Sequence, residues 1–439
     1  MKALELVKGQ AQAAELYEER RENLSVVFHG GDLEKVAGES VVGQALRVIA
    51  RGKLGFASTA GGGAEGLVQA ALAAASHGDP APFQFPVLKP GQAVPVYDPD
   101  VLGLTAEELI RWGEQAIHTI RQEFPEVVVD TAVSRGTAEV TVANTEGGER
   151  RERRTYVSMW VSAEQIRPGD IWMVGASQVV RRASDLRWEE LAQKILTYLR
   201  WGRTLAPAPN GKPPVLFAPS GTTVLFLPLM VGFSGMSVFL GTSPLKGKLG
   251  EEVFGRRLNL VDDGTLPFGP RSRSFDDEGL ASGRMPLVEN GVVRNFFYDL
   301  RAAALAKADS TGNGLKGSPM GGGGFRVPPG PAPRNLCLQP GEGTLEELIR
   351  DLKEGLIVVD VLGLGQGNIQ SGAFSNNVGV GFAVKDGRVV GRVKNTMIAG
   401  NAYEVLKGGL RAVGGVPDWV GGSLYTPPVL VEGVTVVGG

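Results

Sequence analysis

Glycine is the sequence feature that most constrains how this chain folds. There are 63 glycines in 439 residues, about twice the usual share of roughly 7%. Most of them lie in short turns between runs of alternating apolar and polar residues, and they follow no repeat period. Because glycine adopts the backbone conformations that tight turns require, this pattern indicates many β-hairpins. A chain of this length also exceeds one ordinary core, so we expect two domains.

The composition changes at residues 204–214 (TLAPAPNGKPP), which we interpret as a linker. Helical spacing predicts helices at residues 2–22 and 186–201, and a capping box formed by Thr105 and Glu108 predicts another that runs to about Phe124. Beyond the linker the chain is rich in strands and turns, with one helix predicted to begin at a second capping box, formed by Thr344 and Glu347, and to run to about Lys353. We therefore predict an α+β fold. An N-terminal α/β-mixed domain would cover residues 1–203, and a mostly antiparallel, barrel-like C-terminal domain would cover residues 215–439.

Charge and hydropathy exclude several classes of protein. The net charge of −2 and the pI near 6.1 give no basic surface for nucleic acid. No apolar run approaches the ~18 residues that a membrane helix needs, and the acidic residues near the N-terminus are not typical of a signal peptide. We therefore expect a cytoplasmic protein with no nucleic-acid or membrane partner. The single cysteine, Cys337, excludes an intrachain disulfide.

The histidines argue against a metal site in this chain. There are three, His29, His77 and His118, and they fall on three separate predicted elements. Zinc-binding histidines on a helix are normally spaced as i, i+4 or close to it, and no such pair occurs here. We expect no metal ligand among them.

Two other sets of residues offer chemistry. Acidic turns could form an oxygen-ligand metal site; they contain Asp262, Asp263, Asp276, Asp277 and Glu278. Asp-Asp-Gly and Asp-Glu-Gly are also ordinary turn sequences, and we favour turns because the spacing is unlike an EF-hand. Cys337 is a possible nucleophile, but no sequence neighbour supplies a base, so we favour a structural thiol.

Short motifs in a fixed order make the chain resemble the TldD/PmbA family, also called modulators of DNA gyrase and regarded as peptidases. The segment 361–401 is the most characteristic. The other matching motifs lie at residues 262–265 (DDGT), 275–279 (FDDEG), 285–291 (MPLVENG), 310–314 (STGNG) and 332–336 (APRNL). One departure is the sequence QGNIQ at 366–370, where the family more often has Asn-Pro-Val-Thr.

The resemblance also implies what this chain lacks. Catalytic members of the TldD branch carry a His-Glu-x-x-x-His helix and a cysteine in the C-terminal tail, which together hold zinc. The matching stretch 222–240 contains no His, Glu or Asp, and the matching tail 416–439 contains no Cys. The chain therefore resembles the metal-free PmbA/TldE-like branch. This implies no catalytic residue, no metal ligand and no cofactor in this chain, with zinc expected in a TldD-type partner subunit.

For such a subunit, the resemblance implies a scaffolding role that lines a groove for an extended peptide or unfolded protein. Exposed strands can bind extended peptides through backbone hydrogen bonds, and the candidate groove residues are Asn313, Gly314, Phe374 and Ser375. A homodimer is possible in isolation. Two alternatives remain open at this point: an autonomous hydrolase that uses Cys337 or the acidic turns, and a non-enzymatic regulatory binding protein.

Overall fold

The computed structural model describes residues 1–317, 323–365 and 367–438. Helices account for 25% of the chain and strands for 40%. The elements of the N-terminal half are, in chain order, α1 (Lys2–Val7), β1 (Ala13–His29), β2 (Asp32–Ala50), β3 (Lys53–Ala60), α2 (Ala64–His77), α3 (Asp100–Gly103), α4 (Ala106–Glu123), β4 (Val128–Asn144), β5 (Glu149–Arg167), β6 (Asp170–Val180) and α5 (Trp188–Trp201).

The helix predicted at residues 2–22 is wrong beyond its first turns. α1 ends at Val7, Gly9 takes a positive φ of 78°, and β1 begins at Ala13. β1 pairs with β2 on one side and with β4 on the other, so the backbone bonds of a central strand replace those of a helix. Helix propensity is a weak preference that such tertiary contacts routinely override.

One antiparallel sheet organises this half, with the strand order β3-β2-β1-β4-β5-β6. α1 and α2 pack apolar side chains against β1 and β2, whereas α4 packs against β4 and β1 and α5 packs against β6 and β5. The predicted capping box at the start of α4 is confirmed: the Thr105 hydroxyl accepts from the Glu108 amide, and the Glu108 carboxylate accepts from the Thr105 amide. The sheet and its helices therefore form the α/β-mixed part of the fold.

The C-terminal half contains shorter elements. They are β7 (Val215–Phe217), α6 (Thr223–Gly232), α7 (Gly235–Leu240), β8 (Leu260–Asp263), β9 (Arg284–Glu289), β10 (Val292–Val293), α8 (Leu300–Ala306), β11 (Gly314–Leu315), β12 (Gly330–Pro331), β13 (Leu336–Leu338), α9 (Leu345–Leu352), β14 (Gly355–Leu362), β15 (Ala373–Lys385), β16 (Arg388–Arg392), β17 (Thr396–Asn401), α10 (Ala402–Glu404), β18 (Leu410–Val413), β19 (Asp418–Val420), β20 (Leu424–Thr426), β21 (Val429–Val431) and β22 (Thr435–Gly438).

The largest C-terminal sheet has the order β18-β21-β7-β14-β15-β17-β22, with β16 also paired to β15. It curls into a half-barrel that is mostly antiparallel, which confirms the predicted fold class. One exception is the parallel pair β7 and β14. A second sheet, β10-β9-β8-β13-β20-β19, lies beside it.

One apolar cluster joins the two halves of the chain. It includes α4 and α5 from the first half and Ile357, Val380 and Phe382 from the half-barrel. The ring of Phe382 contacts Trp201 edge-on, with 5.3 Å between the ring centroids. The half-barrel therefore has one face packed on α5 and its opposite face on α6, and the boundary predicted at 204–214 separates chain segments that share a core.

Candidate functional site

A cavity lies between α6 and the end of the half-barrel. Its volume is about 630 Å³. α6 contributes one wall, the segment that follows β14 contributes the second, and β15 and β17 contribute the floor. The lining residues are Val224, Leu227, Pro228, Leu362, Gly363, Leu364, Gly365, Gly367, Asn368, Ile369, Ala373, Phe374, Ser375, Asn376, Asn377 and Met397.

An unpaired strand edge opens onto this cavity. β14 pairs with β15 only as far as Leu362, which lies opposite Asn377. The first residues of β15, 373–376, continue beyond that point and pair with β17 alone. The side-chain amide of Asn376 donates to the backbone carbonyl of Leu362 at 3.0 Å. This hydrogen bond holds β14 at the point where it separates from β15. Residues 373–376 therefore have one side without a strand partner in the described part of the chain.

The cavity is polar at its rim but carries no charge. Asn368, Asn376, Asn377 and Ser375 supply amide and hydroxyl groups, and no described lining residue is ionisable. A site of this kind can hydrogen-bond a backbone and bury apolar side chains. None of its described lining residues has an ionisable side chain that could act as a general acid or base.

α6 lies in the stretch 222–240, which the resemblance to the TldD branch singled out for its lack of zinc ligands. Its sequence is TVLFLPLMVG, nearly every side chain is buried, and Pro228 lies inside the helix. Zinc is bound by Cys sulfur, His nitrogen or carboxylate oxygen, and α6 offers none of them. Within the described residues no group of three or more His, Cys, Asp and Glu side chains is placed to hold a metal ion. The residues present therefore do not fit zinc.

The structure separates the four predicted groove residues into two pairs. Phe374 and Ser375 line the cavity, where Ser375 is exposed and Phe374 points into the apolar layer beneath. Asn313 is fully buried and donates to Asp262 at 2.8 Å, and the amide of Gly314 donates to Asp276 at 2.9 Å. The latter pair does not line the cavity. A peptide-binding role for all four residues stays a prediction.

Sequence reasoning missed several lining residues. Val224, Leu227, Asn376 and Met397 all line the cavity, but none of them was singled out from the sequence. One signal was present in the sequence, because the segment 222–240 contains no charged residue. Residue Gln366, the first of the unusual QGNIQ segment, lies outside the described residues. Gly367, Asn368 and Ile369 of that segment line the cavity.

The acidic motifs form ion pairs and accept hydrogen bonds from turn amides. Asp262 is fully buried and accepts two bonds from the guanidinium of Arg334, each at 3.0 Å. Asp276 accepts from the amides of Glu278, Leu280 and Gly314. These are the turn and ion-pair roles expected of such sequences.

Glu278 ties the acidic motifs to the N-terminal sheet. Arg47 of β2 donates to Glu278 at 2.7 Å and also to both carboxylate oxygens of Glu15. Burial raises the pKa of Asp299, with a further contribution from the negative charge of Glu278, to about 7. Burial and the nearby Arg47 lower the pKa of Lys316 to about 8. We call these five side chains the buried charge cluster.

Cys337 lies on β13 in a setting that disfavours a nucleophile. Its thiol donates weakly to the carbonyl of Asn335 at 3.5 Å. Burial, followed by the negative charges of Asp262 and Asp263, raises the pKa of Cys337 to about 12. Since the thiolate is the reactive form, the structure favours the structural thiol.

The histidines are held by separate local contacts. His29 Nδ1 lies 3.1 Å from Asp130, His118 contacts Gln122 of the same helix at 2.8 Å, and His77 is the last residue of α2. The structure therefore keeps them on the three elements that the sequence indicated.

Comparison with known proteins identifies the class to which this fold and site belong. The family description PmbA/TldA metallopeptidase C-terminal domain matches residues 210–438. Domain 1 of the same family matches residues 14–76, and its central domain matches residues 99–201. The chain therefore belongs to the TldD/PmbA family.

Individual relatives agree with this assignment. The metalloprotease PmbA of Escherichia coli O157:H7 is 25% identical over 432 residues, which cover 92% of this chain and 88% of that protein. An uncharacterised protein of Methanocaldococcus jannaschii is 27% identical over 88% of this chain and 87% of its own length. The match to a metalloprotease TldD homolog of Buchnera aphidicola is local: it is 31% identical but covers 38% of this chain and 33% of that protein.

Solved structures share the fold over the whole chain. TldE from Thermococcus kodakarensis superposes with a TM-score of 0.89 at 22% identity, covering 100% of this chain and 99% of that one. A modulator of DNA gyrase from Thermotoga maritima superposes with a TM-score of 0.87 at 25% identity, covering 99% and 98%. In the described part of this chain, no helix combines the length and the apolar character that crossing a membrane requires.

Proposed function

We propose that this chain is the metal-free subunit of a TldD/TldE-type metallopeptidase complex, in which it holds extended peptide for a zinc-bearing partner. The observation that carries the proposal is the cavity beside α6. It combines an unpaired strand edge with a lining free of ionisable groups. A peptide could add to residues 373–376 as a further strand, because backbone hydrogen bonds give affinity without strong sequence demand.

The charge-free lining explains why the partner would supply the chemistry. Hydrolysis of a peptide by zinc needs three protein ligands and an activated water, and α6 presents only apolar side chains at the corresponding place. Cleavage would therefore depend on a subunit that carries the His-Glu-x-x-x-His helix. This chain would hold and orient the peptide backbone.

An exposed row beside the cavity, in which three of the four side chains are apolar, supports a partner at this face. Leu362, Asn377, Met397 and Val437 lie opposite one another on four neighbouring strands, and all four are exposed. Exposed apolar surface next to a cleft is typical of protein–protein interaction sites. A partner covering this row would also close the mouth of the cavity.

The test reconstitutes the chain with a TldD-type subunit and measures binding and cleavage of a labelled, uncharged ten-residue peptide. Ser375→Arg should weaken binding at least about tenfold, because it places a charged side chain in an uncharged cavity. Ser76→Arg is the matched control, since Ser76 is an exposed serine of α2 away from the cavity. Cleavage should require the partner and should fall with Ser375→Arg but not with Ser76→Arg.

Three results would contradict the proposal. Peptide cleavage by the isolated chain that is lost on Cys337→Ser would favour the autonomous hydrolase. Failure to associate with any subunit that carries the zinc motif would favour a regulatory binding protein. Equal binding by the Ser375→Arg and Ser76→Arg variants would exclude the cavity as the peptide site.

A further inference from the structure

The outer half of β2 is an unpaired sheet edge. β3 pairs only with residues 43–50 of β2, because the chain leaves β3 at Ala60 and passes through three glycines into α2. Residues 32–42 have β1 on one side and no strand on the other side among the described residues. Eleven residues at about 3.3 Å each make a free edge of about 36 Å.

This edge carries four charged residues (Asp32, Glu34, Lys35 and Glu39) but lacks the other features that normally prevent association. It contains no proline, and Leu33, Val36 and Val42 are 46%, 45% and 52% exposed. Proteins usually blunt an exposed edge with proline, charge or a β-bulge. Here the register shift between β1 and β2 lies at Val27 and Phe28, next to the hairpin tip. Residues 35–42 therefore form a regular edge that is suited to pairing with another strand.

The charged side chains on this edge favour one particular strand and register as its pairing partner. Lys35, Ala37 and Glu39 alternate along the strand and so share one face, opposite Val27, Ser25 and Asn23 of β1. Neither Lys35 nor Glu39 forms an ion pair within 4 Å with any described residue. In an antiparallel pair with a two-fold axis at Ala37, Lys35 of each copy lies opposite Glu39 of the other. Opposite charges that face each other across two strands stabilise the pair.

We propose that residues 32–42 pair with the same residues of a second copy of this chain, antiparallel and centred on Ala37. Neighbouring registers are less favourable. A centre at Glu39 places the two Glu39 side chains opposite each other, and a centre between Val36 and Ala37 places Glu34 opposite Glu39. The contact would join two N-terminal sheets into one continuous sheet. It is separate from the proposed peptide site, since no residue of β2 lines that cavity.

Disulfide trapping tests the register. In the full chain carrying Cys337→Ser, the variant Ala37→Cys brings two thiols together at the axis. Directly opposed residues have Cα atoms about 4.5–5.5 Å apart, which is within the range of about 4.4–6.8 Å for a disulfide. Ser40→Cys is the matched control, because the two copies of residue 40 would be six residues, or about 20 Å, out of register. Mild oxidation should link the Ala37→Cys chains and leave the Ser40→Cys chains as monomers on a non-reducing gel.

Charge exchange tests the pairing without a crosslink. Lys35→Glu should raise the dimer dissociation constant about tenfold, since it replaces two attractive contacts with two repulsive ones. Adding Glu39→Lys to the same chain should restore the original value, which can be measured by sedimentation equilibrium. A chain that is monomeric at all concentrations, equal trapping of both cysteine variants, or no rescue by the double exchange would each overturn the proposal.

Discussion

Two polar regions of this molecule carry family motifs, and they differ in charge and in hydrogen bonding. In the buried charge cluster, Arg47 donates to both Glu15 and Glu278, and neighbouring acidic residues accept from backbone amides. In the cavity beside α6, the lining has no ionisable group and one strand edge has no partner. Acidic residues in a sequence suggest a functional site, but here those of the buried charge cluster form ion pairs and hydrogen bonds that stabilise the fold. The region that still has backbone groups free to bind a ligand is the uncharged cavity beside α6.

The difference has a physical cause. A charge removed from water is tolerated only when ion pairs and hydrogen bonds replace its hydration, so a buried charged region must be saturated. An uncharged cavity can leave backbone groups free because open space lets water satisfy them. We therefore expect substitutions in the buried charge cluster to change stability and substitutions around the cavity to change binding.

The largest effect is expected from Arg47→Met. This variant removes the cation between Glu15 and Glu278 and leaves two carboxylates buried without it. Breaking a buried ion pair by removing one partner typically costs about 3–5 kcal/mol. We expect a loss of this size in the free energy of unfolding, measured by denaturant titration.

Arg388→Met is the matched control, because Arg388 is an exposed arginine on β16. It should change the free energy of unfolding by less than about 0.5 kcal/mol. If the two variants proved equally stable, the Arg47 contacts would not be what holds the acidic motifs to the N-terminal sheet.

A pH dependence is expected from Lys316, whose pKa is lowered from 10.5 to about 8 by burial and by Arg47. A depressed folded-state pKa contributes stability that is present above the unfolded-state pKa and is lost as pH falls through the folded-state value. The stability of the native chain relative to Lys316→Met should therefore rise between pH 8 and pH 10.5, by an amount on the order of a few kcal/mol. Chemical denaturation across this range measures it.

Lys212→Met provides the baseline, because Lys212 is exposed. The difference in the free energy of unfolding between Lys212→Met and the native chain should stay constant over the same range of pH. A flat difference for Lys316→Met as well would mean that the amine is not held in its buried position between the rings of Tyr17 and Phe56.

Local sequence signals predicted the parts of the fold that depend on neighbouring residues. The capping boxes at Thr105 and Thr344 are both present, with the reciprocal bonds that the sequence implied. These two predictions succeed because a capping box is formed by residues only three positions apart in the sequence. The start of β1 was wrongly predicted as a helix. Local spacing could not reveal a strand there, because the strand partners Ile49 and Asn144 are distant in sequence.

The candidate site shows the same limit. Phe374 and Ser375 were candidate groove residues because they lie in the segment 361–401 that resembles the family, and both line the cavity. The wall formed by Val224 and Leu227 was not predicted, since more than a hundred residues separate it from β15. Asn313 was also a candidate groove residue, and only the fold shows it buried and donating to Asp262.

A smaller effect is expected from Asn376→Ala, which tests how the cavity is shaped. The side-chain amide of Asn376 fixes the end of β14 through the carbonyl of Leu362, and a net hydrogen bond is worth about 1 kcal/mol. We expect a loss of that size in the free energy of unfolding, and faster amide exchange at residues 362–365. Exchange in β1, which shares no contact with Asn376, should be unchanged. Unchanged exchange at 362–365 would show that other contacts hold the end of β14.

The smallest effect is expected from Cys337→Ser. Because burial and the charges of Asp262 and Asp263 raise the pKa of Cys337 to about 12, less than about one molecule in a thousand carries the thiolate at neutral pH. The serine hydroxyl can still donate to the carbonyl of Asn335, so stability should change by less than about 1 kcal/mol. Cleavage by the reconstituted complex should be unchanged, and iodoacetamide should modify the native thiol far more slowly at pH 7 than an exposed cysteine. Rapid labelling at pH 7, or loss of cleavage in the variant, would mean that the thiol is reactive. The region around Asp262 and Asp263 would then take part in function and not only in stability.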